Sequence, residues 1–251
     1  MGPHEGSGGV TTRRHVLAGL GGLGLGFSVQ RKAWAMSSFA EQVAASLPEG
    51  MVLPEAFVTT MDWMAANDFV RDGPVAYLAP ASAELTSEIG FKPVDPGHGA
   101  AWLGTEDPGY VDRLAPIVPT GGDGSYAALW RGEDGGVSIV HMGSGSGSTM
   151  TCVLATDPVD MLRLMAIGYS ELCWPETLAI TPEQEYADRV LLLGAGNVPP
   201  YSLPGEFRRF VGKTFEVGIP ERGSDIVKNV ALMESETSDD PFWRWVRAVP
   251  R

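Results

Sequence analysis

The chain has 251 residues and carries 18 Lys and Arg against 31 Asp and Glu, a formal net charge of −13. That length suits one large domain, or one domain with an extension, and 44% hydrophobic residues rule out wholesale disorder. A nucleic-acid binder shows the opposite sign of charge. The acidity either keeps the protein soluble or offers an acidic face to a basic partner.

The first segment reads as targeting sequence. Arg13 and Arg14 precede a glycine-rich apolar run from Val16 to Val29, followed by Arg31, Lys32 and the small-x-small stretch Ala33-Trp34-Ala35. The run falls short of the roughly 20 residues that span a bilayer as a helix. The order resembles a twin-arginine export signal over residues 1–35, with Arg13 and Arg14 as its motif and Ala33 and Ala35 at the cleavage site. The resemblance implies export to the periplasm or cell surface. The rival reading makes Met36 the true start of a cytoplasmic protein.

Beyond the leader, Phe39–Ser46 predicts a short helix capped by Ser37 or Ser38. Pro54–Ala66 predicts a longer one, with Pro54 in its first turn, Phe57, Met61 and Met64 at helical spacing, and Asn67 at its end. Val75–Leu78 reads as a strand. Residues 80–107 read as irregular, with a helical turn near Ala83–Ile89. Four strands then follow at Leu114–Val118, Tyr126–Trp130, Val137–Met142 and Thr149–Leu154. Glu133–Gly136 and Gly143–Ser148 supply hairpin turns, so neighbouring strands should pair antiparallel. Asp157-Pro158 and Asp240-Pro241 both read as capped helix starts, and Gly168 as the close of the first of these helices. Residues 176–200 are acidic and loosely periodic. Pro204–Phe215 predicts a helix with Phe207, Phe210 and Val211 inward.

The pattern divides the chain into a sheet-bearing core at 36–175 and a helical extension at 176–251 packed on it. The fold class is α+β, a mostly antiparallel sheet packed against helices, and no transmembrane helix is expected in the mature chain.

Motifs for chemistry are sparse. Gly194-Ala195-Gly196-Asn197 approaches a dinucleotide loop, but Pro199 takes the place of the third glycine. Gly143–Gly147 reads as a hairpin loop, with anion cradling the lesser reading. Outside the leader the histidines are His98 and His141, without zinc spacing, and His141 reads as structural. Cys152 and Cys173 belong to no CxxC pair, and a single bridge between them is open. Thus no catalytic, cofactor or metal residue is assigned. Glu234, Glu236 and Asp239 form an acidic run that reads as a solvated loop or as a contact for a basic protein partner. Trp130, Trp243 and Trp245 suit a core and an interface equally well.

The block Gly121–Leu172 resembles the SUKH superfamily, the Smi/Knr-type group of fungal cell-wall regulators and bacterial toxin-immunity proteins. The similarity lies in Asp123-Gly124-Ser125 leading to Ala127-Ala128-Leu129-Trp130, in Val137–Met142 and in Asp160–Tyr169. Leu47–Gly50 through Trp63-Met64 is similar to the helical start of that domain. Phe210–Val217 and Asp239–Trp243 resemble the end of longer bacterial members. The resemblance covers most of residues 36–246 and implies a SUKH-like fold with no shared catalytic constellation. It implies a non-enzymatic immunity protein that neutralises a toxin by binding it, or alternatively a cell-envelope regulator or scaffold of the same fold.

Overall fold

The computed structural model describes residues 38–80 and 89–250. The leader residues Arg13, Arg14, Ala33 and Ala35, and the helical turn expected near Ala83–Ile89 save for Ile89 itself, lie outside the described residues. The helices of the first half are α1 (Phe39–Ala44), α2 (Glu55–Ala66), α3 (Gly97–Leu103) and α4 (Pro108–Val111). Those of the second half are α5 (Pro158–Ile167), α6 (Pro175–Leu178), α7 (Pro182–Leu193), α8 (Gly205–Thr214) and α9 (Pro241–Ala248). The strands are β1 (Val70–Arg71), β2 (Tyr77–Leu78), β3 (Leu114–Pro119), β4 (Tyr126–Arg131), β5 (Val137–Met142) and β6 (Thr151–Ala155).

Local chemistry explains the ends of the early helices. Ser38 rather than Ser37 caps α1: its hydroxyl accepts from the Glu41 N–H, and its own N–H donates to the Glu41 carboxylate at 2.6 Å. Each side chain thus satisfies a backbone donor the helix leaves free. Pro54 stands one position earlier than expected, at the N-cap of α2. The inward stripe of Phe57, Met61 and Met64 is buried as its spacing predicts.

The main sheet runs β3-β4-β5-β6 with every pair antiparallel, and β1 and β2 form a separate two-stranded ribbon. Trp130 pairs with Leu114 on one side and Ser138 on the other. Both edges are covered. On the β3 edge, Pro116 and Pro119 lack a donor, the register shifts between Pro116 and Val118, and the Lys92 N–H donates to Ile117. At the β6 edge, Leu232 bridges Met150, and the Thr151 N–H donates to Ala231 at 2.7 Å.

Strand alternation sends two sets of side chains to opposite faces. Ala127, Leu129, Ile139, Cys152 and Leu154 meet α2, α5 and α8 in one core, where Phe57 lies against Phe91 at 5.3 Å and Trp63 stacks on Phe210 at 4.2 Å. Ala128, Trp130, Val140 and Met142 meet α3 and α9 in a second core around Phe242. Each fully buried large apolar side chain contributes roughly 1.5–3 kcal/mol. The architecture is therefore α+β, with a mostly antiparallel sheet between helices and a C-terminal part that is largely helical.

Several elements depart from the sequence reading, β1 and α3 among them. Strand β1 is too short to show alternation. Helix α3 has the sequence GHGAAWL, whose two glycines disfavour a helix in isolation. Tertiary contacts hold it: Trp102 stacks on Phe242 and donates its indole N–H to the Gly143 carbonyl at 2.7 Å.

Candidate interaction surface

The glycine-rich block folds around one carboxylate. Asp123 accepts from the Ser125 N–H at 3.0 Å, the Ser125 hydroxyl at 2.7 Å, the Ser144 hydroxyl at 2.8 Å and the Ser148 N–H at 2.8 Å. Ser144 also donates its N–H to the Ser125 hydroxyl, which ties the two loops together. Burial works against the charge of Asp123, but the hydrogen bonds outweigh it and hold its carboxyl below the usual range. A Cβ on Gly147 would fall 2.7 Å from the Asp123 Cβ, so glycine is what lets the loop close over the carboxylate. The loop's donors are used within the protein: the Ser148 N–H and Ser144 hydroxyl on Asp123, the Gly147 N–H on the Ser144 hydroxyl and the Gly145 N–H on the Ser148 carbonyl, so the loop acts as a structural knot.

His141 is likewise structural. It is fully buried on β5, with Nδ1 2.7 Å from the Met150 carbonyl and Nε2 2.9 Å from the Thr120 hydroxyl. A carbonyl only accepts, so Nδ1 carries the proton and Nε2 receives the hydroxyl proton of Thr120. Burial drives its pKa down to about 4, against the pull of the Met150 carbonyl and Asp123. His98 lies on α3, its ring 4.6 Å from that of Tyr126, and burial lowers its pKa despite the opposing charge of Asp95. Cys152 and Cys173 are both free and buried. Burial pushes the Cys152 thiol up to about 12 and raises that of Cys173 as well, so neither is a ready nucleophile. No cluster of His, Cys, Asp or Glu among the described residues could hold a metal ion. The near-dinucleotide loop follows the last turn of α7 rather than a strand, and residues Ala195–Asn197 form a short 3-10 turn. The strand-to-helix setting of a pyrophosphate loop is missing there.

Glu234, Glu236 and Asp239 sit together on the connection between the β6 edge and α9. All three are exposed, and their carboxylates make no hydrogen bond or ion pair. The backbone beneath them is fixed. The Ser235 hydroxyl accepts from the Leu232 N–H, the Trp243 indole donates to the Leu232 carbonyl at 2.7 Å, and Arg244 donates to the Asp239 carbonyl at 2.7 Å. Asp240 closes the loop with both carboxylate oxygens: one accepts from the Trp243 N–H at 2.9 Å, the other from the Val153 N–H of β6 at 2.8 Å. It is at once the N-cap of α9 and a plug for the sheet edge. Beside the loop, Trp102, Leu103, Met233, Trp243, Val246 and Arg247 help line a depression of about 320 Å³, with the Arg247 guanidinium 5.3 Å over the Trp243 ring. The free carboxylates thus stand on a pinned backbone, and Met233, next to Glu234 in the chain, lines the hollow.

The aromatic residues between β4 and α9 turn inward. Trp130, Phe242 and Trp245 are buried in mutual contact, with ring separations of 5.5 to 5.7 Å, and they dock α9 on the sheet. Sequence spacing had left core and interface equally open for Trp130, Trp243 and Trp245. The structure puts all three in the packing of α9. Reasoning from sequence missed the part played by Asp123; the signal for it was an Asp-Gly-Ser turn ahead of the Gly/Ser loop Gly143–Ser148. Four buried side-chain nitrogens among the described residues have no hydrogen-bond partner: Arg113 Nη2, Trp130 Nε1, Arg131 Nη2 and Trp245 Nε1. They gather where β3 and β4 meet α9.

These features define an α+β protein whose polar clusters mostly serve its own structure and whose exposed acidic loop is left free. No family model matches the chain, and neither does any curated protein or solved structure. No helix among the described residues is long and apolar enough to cross a membrane.

Proposed function

We propose that this chain is a non-enzymatic protein of SUKH type, an immunity protein that binds and neutralises a toxin through a basic surface on that toxin. The observation that carries the reading is the loop bearing Glu234, Glu236 and Asp239, whose carboxylates stay unpaired while its backbone is pinned at both ends. An exposed carboxylate on a fixed backbone loses little entropy on pairing with a cation, and it steers a basic partner from a distance. The hollow next to it offers apolar area for the same contact. The SUKH resemblance of the Gly121–Leu172 block supports the class, and the leader resemblance supports a partner met outside the cytoplasm.

The test is co-expression with a polymorphic toxin encoded beside the gene. Rescue of growth together with a purified complex is the expected result, and Glu234→Lys, Glu236→Lys and Asp239→Lys combined should abolish both. Absence of a complex, or unchanged rescue by the triple variant, overturns the reading. An envelope defect on deletion, with no neighbouring toxin gene, points to a cell-envelope scaffold of the same fold instead.

A further inference from the structure

Helix α7 lies on the surface, and its half-buried face carries one residue of each charge, Glu185 and Arg189. They stand four positions apart with the acid first, the order that favours an ion pair on a helix. They close none. Ser170 takes the Glu185 carboxylate instead, donating its hydroxyl and, at 3.1 Å, its N–H. Arg189 donates no hydrogen bond and forms no ion pair among the described residues; only attraction through space joins it to Glu185. Its nitrogens are not among the four that are sealed off without a partner, so the guanidinium stays within reach of a ligand.

Glu185 and Arg189 both line a cavity of about 60 Å³ formed by α7, the end of α5 and the chain at 198–204. A volume of this size has room for about four to six water-sized groups. Its walls are set in advance. The Tyr186 and Tyr201 rings stand 5.8 Å apart, and Pro199 and Pro200 have a fixed φ. The two charges then select among small occupants. A simple carboxylate pairs with Arg189 but lies beside the Glu185 charge, and a simple amine pairs with Glu185 but faces Arg189. Burial keeps the Glu185 carboxyl above its usual range despite the Ser170 bonds and Arg189, so a cation at its remaining lone pairs is favoured.

We propose that this cavity binds a small zwitterion, a free α-amino acid with a short side chain. Its carboxylate pairs with the Arg189 guanidinium, its ammonium donates to the Glu185 oxygens beside the Ser170 bonds, and its side chain lies against Tyr186 and Pro199. The site shares no residue with the acidic loop, so it stands whether or not the toxin reading does.

The probe is L-alanine, titrated at pH 7 into 15N-labelled full chain. The readouts are the Ser170 amide, which donates to Glu185, and the Arg189 Nε–H, assigned by its loss in Arg189→Gln. Both resonances should move and saturate. N-acetyl-L-alanine lacks the ammonium and L-alaninamide lacks the carboxylate. Each should bind at least about tenfold more weakly, the effect of losing one charge-assisted hydrogen bond. Arg189→Gln, read at Ser170, should weaken L-alanine binding to the same degree. So should Glu185→Gln, whose amide can accept from the Ser170 N–H and donate to the Ser170 hydroxyl oxygen. The Arg189 change removes no hydrogen bond within the protein, so it decides alone if Glu185→Gln fails to fold. Resonances that stay fixed throughout the titration leave the cavity to water and overturn the proposal. Equal affinity for N-acetyl-L-alanine makes this a plain anion site and overturns it as well, as does unchanged L-alanine affinity in either folded variant.

Discussion

His141 makes the stability of this protein depend on acid in a way that can be calculated. In the unfolded chain its imidazole titrates near 6.5, whereas burial in the folded sheet lowers its pKa to about 4. Between those values the unfolded state binds a proton the folded state refuses. Stability is therefore complete above pH 6.5 and is lost as pH falls toward 4, with a slope approaching about 1.4 kcal/mol per pH unit. The integrated loss is on the order of 3 kcal/mol, a large share of the 5–15 kcal/mol or so that holds a typical domain. His141→Gln is the informative variant: an amide can donate to the Met150 carbonyl and accept from the Thr120 hydroxyl but cannot titrate. Urea midpoints followed by tryptophan fluorescence at pH 7, 6, 5 and 4.5 give the comparison. The variant should start somewhat weaker at pH 7 and then fall less steeply than the parent chain. Parallel curves for the two proteins across this range would refute the assignment of the buried neutral tautomer.

Asp240→Asn should cost about 2–3 kcal/mol in urea unfolding, because one oxygen that now accepts from the Trp243 or Val153 N–H becomes a donor facing a donor; a change under about 0.5 kcal/mol would deny the plug. Gly121→Ala puts a methyl carbon 2.4 Å from the Cys173 sulfur and should destabilise by about 1–3 kcal/mol, with most of that recovered when Cys173→Ala is added. Thermal melts of the two single variants and the double variant check it, and strictly additive losses would contradict the contact. Asp123, held below its ordinary pKa, contributes stability that is present above about pH 4 and lost as pH drops through its folded value. Acid melts of Asp123→Asn should accordingly be flatter than those of the parent below that pH; equal slopes would show that the four donors do not favour the charged form.

Much of the fold could be read in advance where local signals and tertiary packing agree. Strand β5 spans Val137–Met142 between its two turns as the sequence predicts, and α5 begins at Asp157-Pro158 and stops at Gly168, which adopts a left-handed φ of 106°. Helix α7 was hidden because its residues are mostly exposed and leave no apolar stripe; what starts it is the reciprocal cap between Thr181 and Gln184. Helix α3 was hidden for the opposite reason, since its own residues oppose a helix and only packing on Phe242 holds it. Of the candidate surface, the sequence showed the charges of Glu234, Glu236 and Asp239. It could not show that their loop is anchored by Trp243 and Arg244, nor that the two indoles under α9 go unpaired. Those facts depend on which residues meet across long stretches of chain, and no local pattern encodes such meetings.

The sheet edge at β6 receives its cover from Ala231, Leu232 and Asp240, which are synthesised about 80 residues after the strand they cover. Until those residues leave the ribosome, the preceding strands hold an unpaired row of backbone groups open to any neighbouring nascent chain. The arrival of this covering stretch therefore sets the moment at which the sheet stops being sticky. A message truncated after codon 230 should yield aggregate rather than a shortened soluble domain. Residues 231–240 thus guard the newborn sheet as well as packing on the folded one.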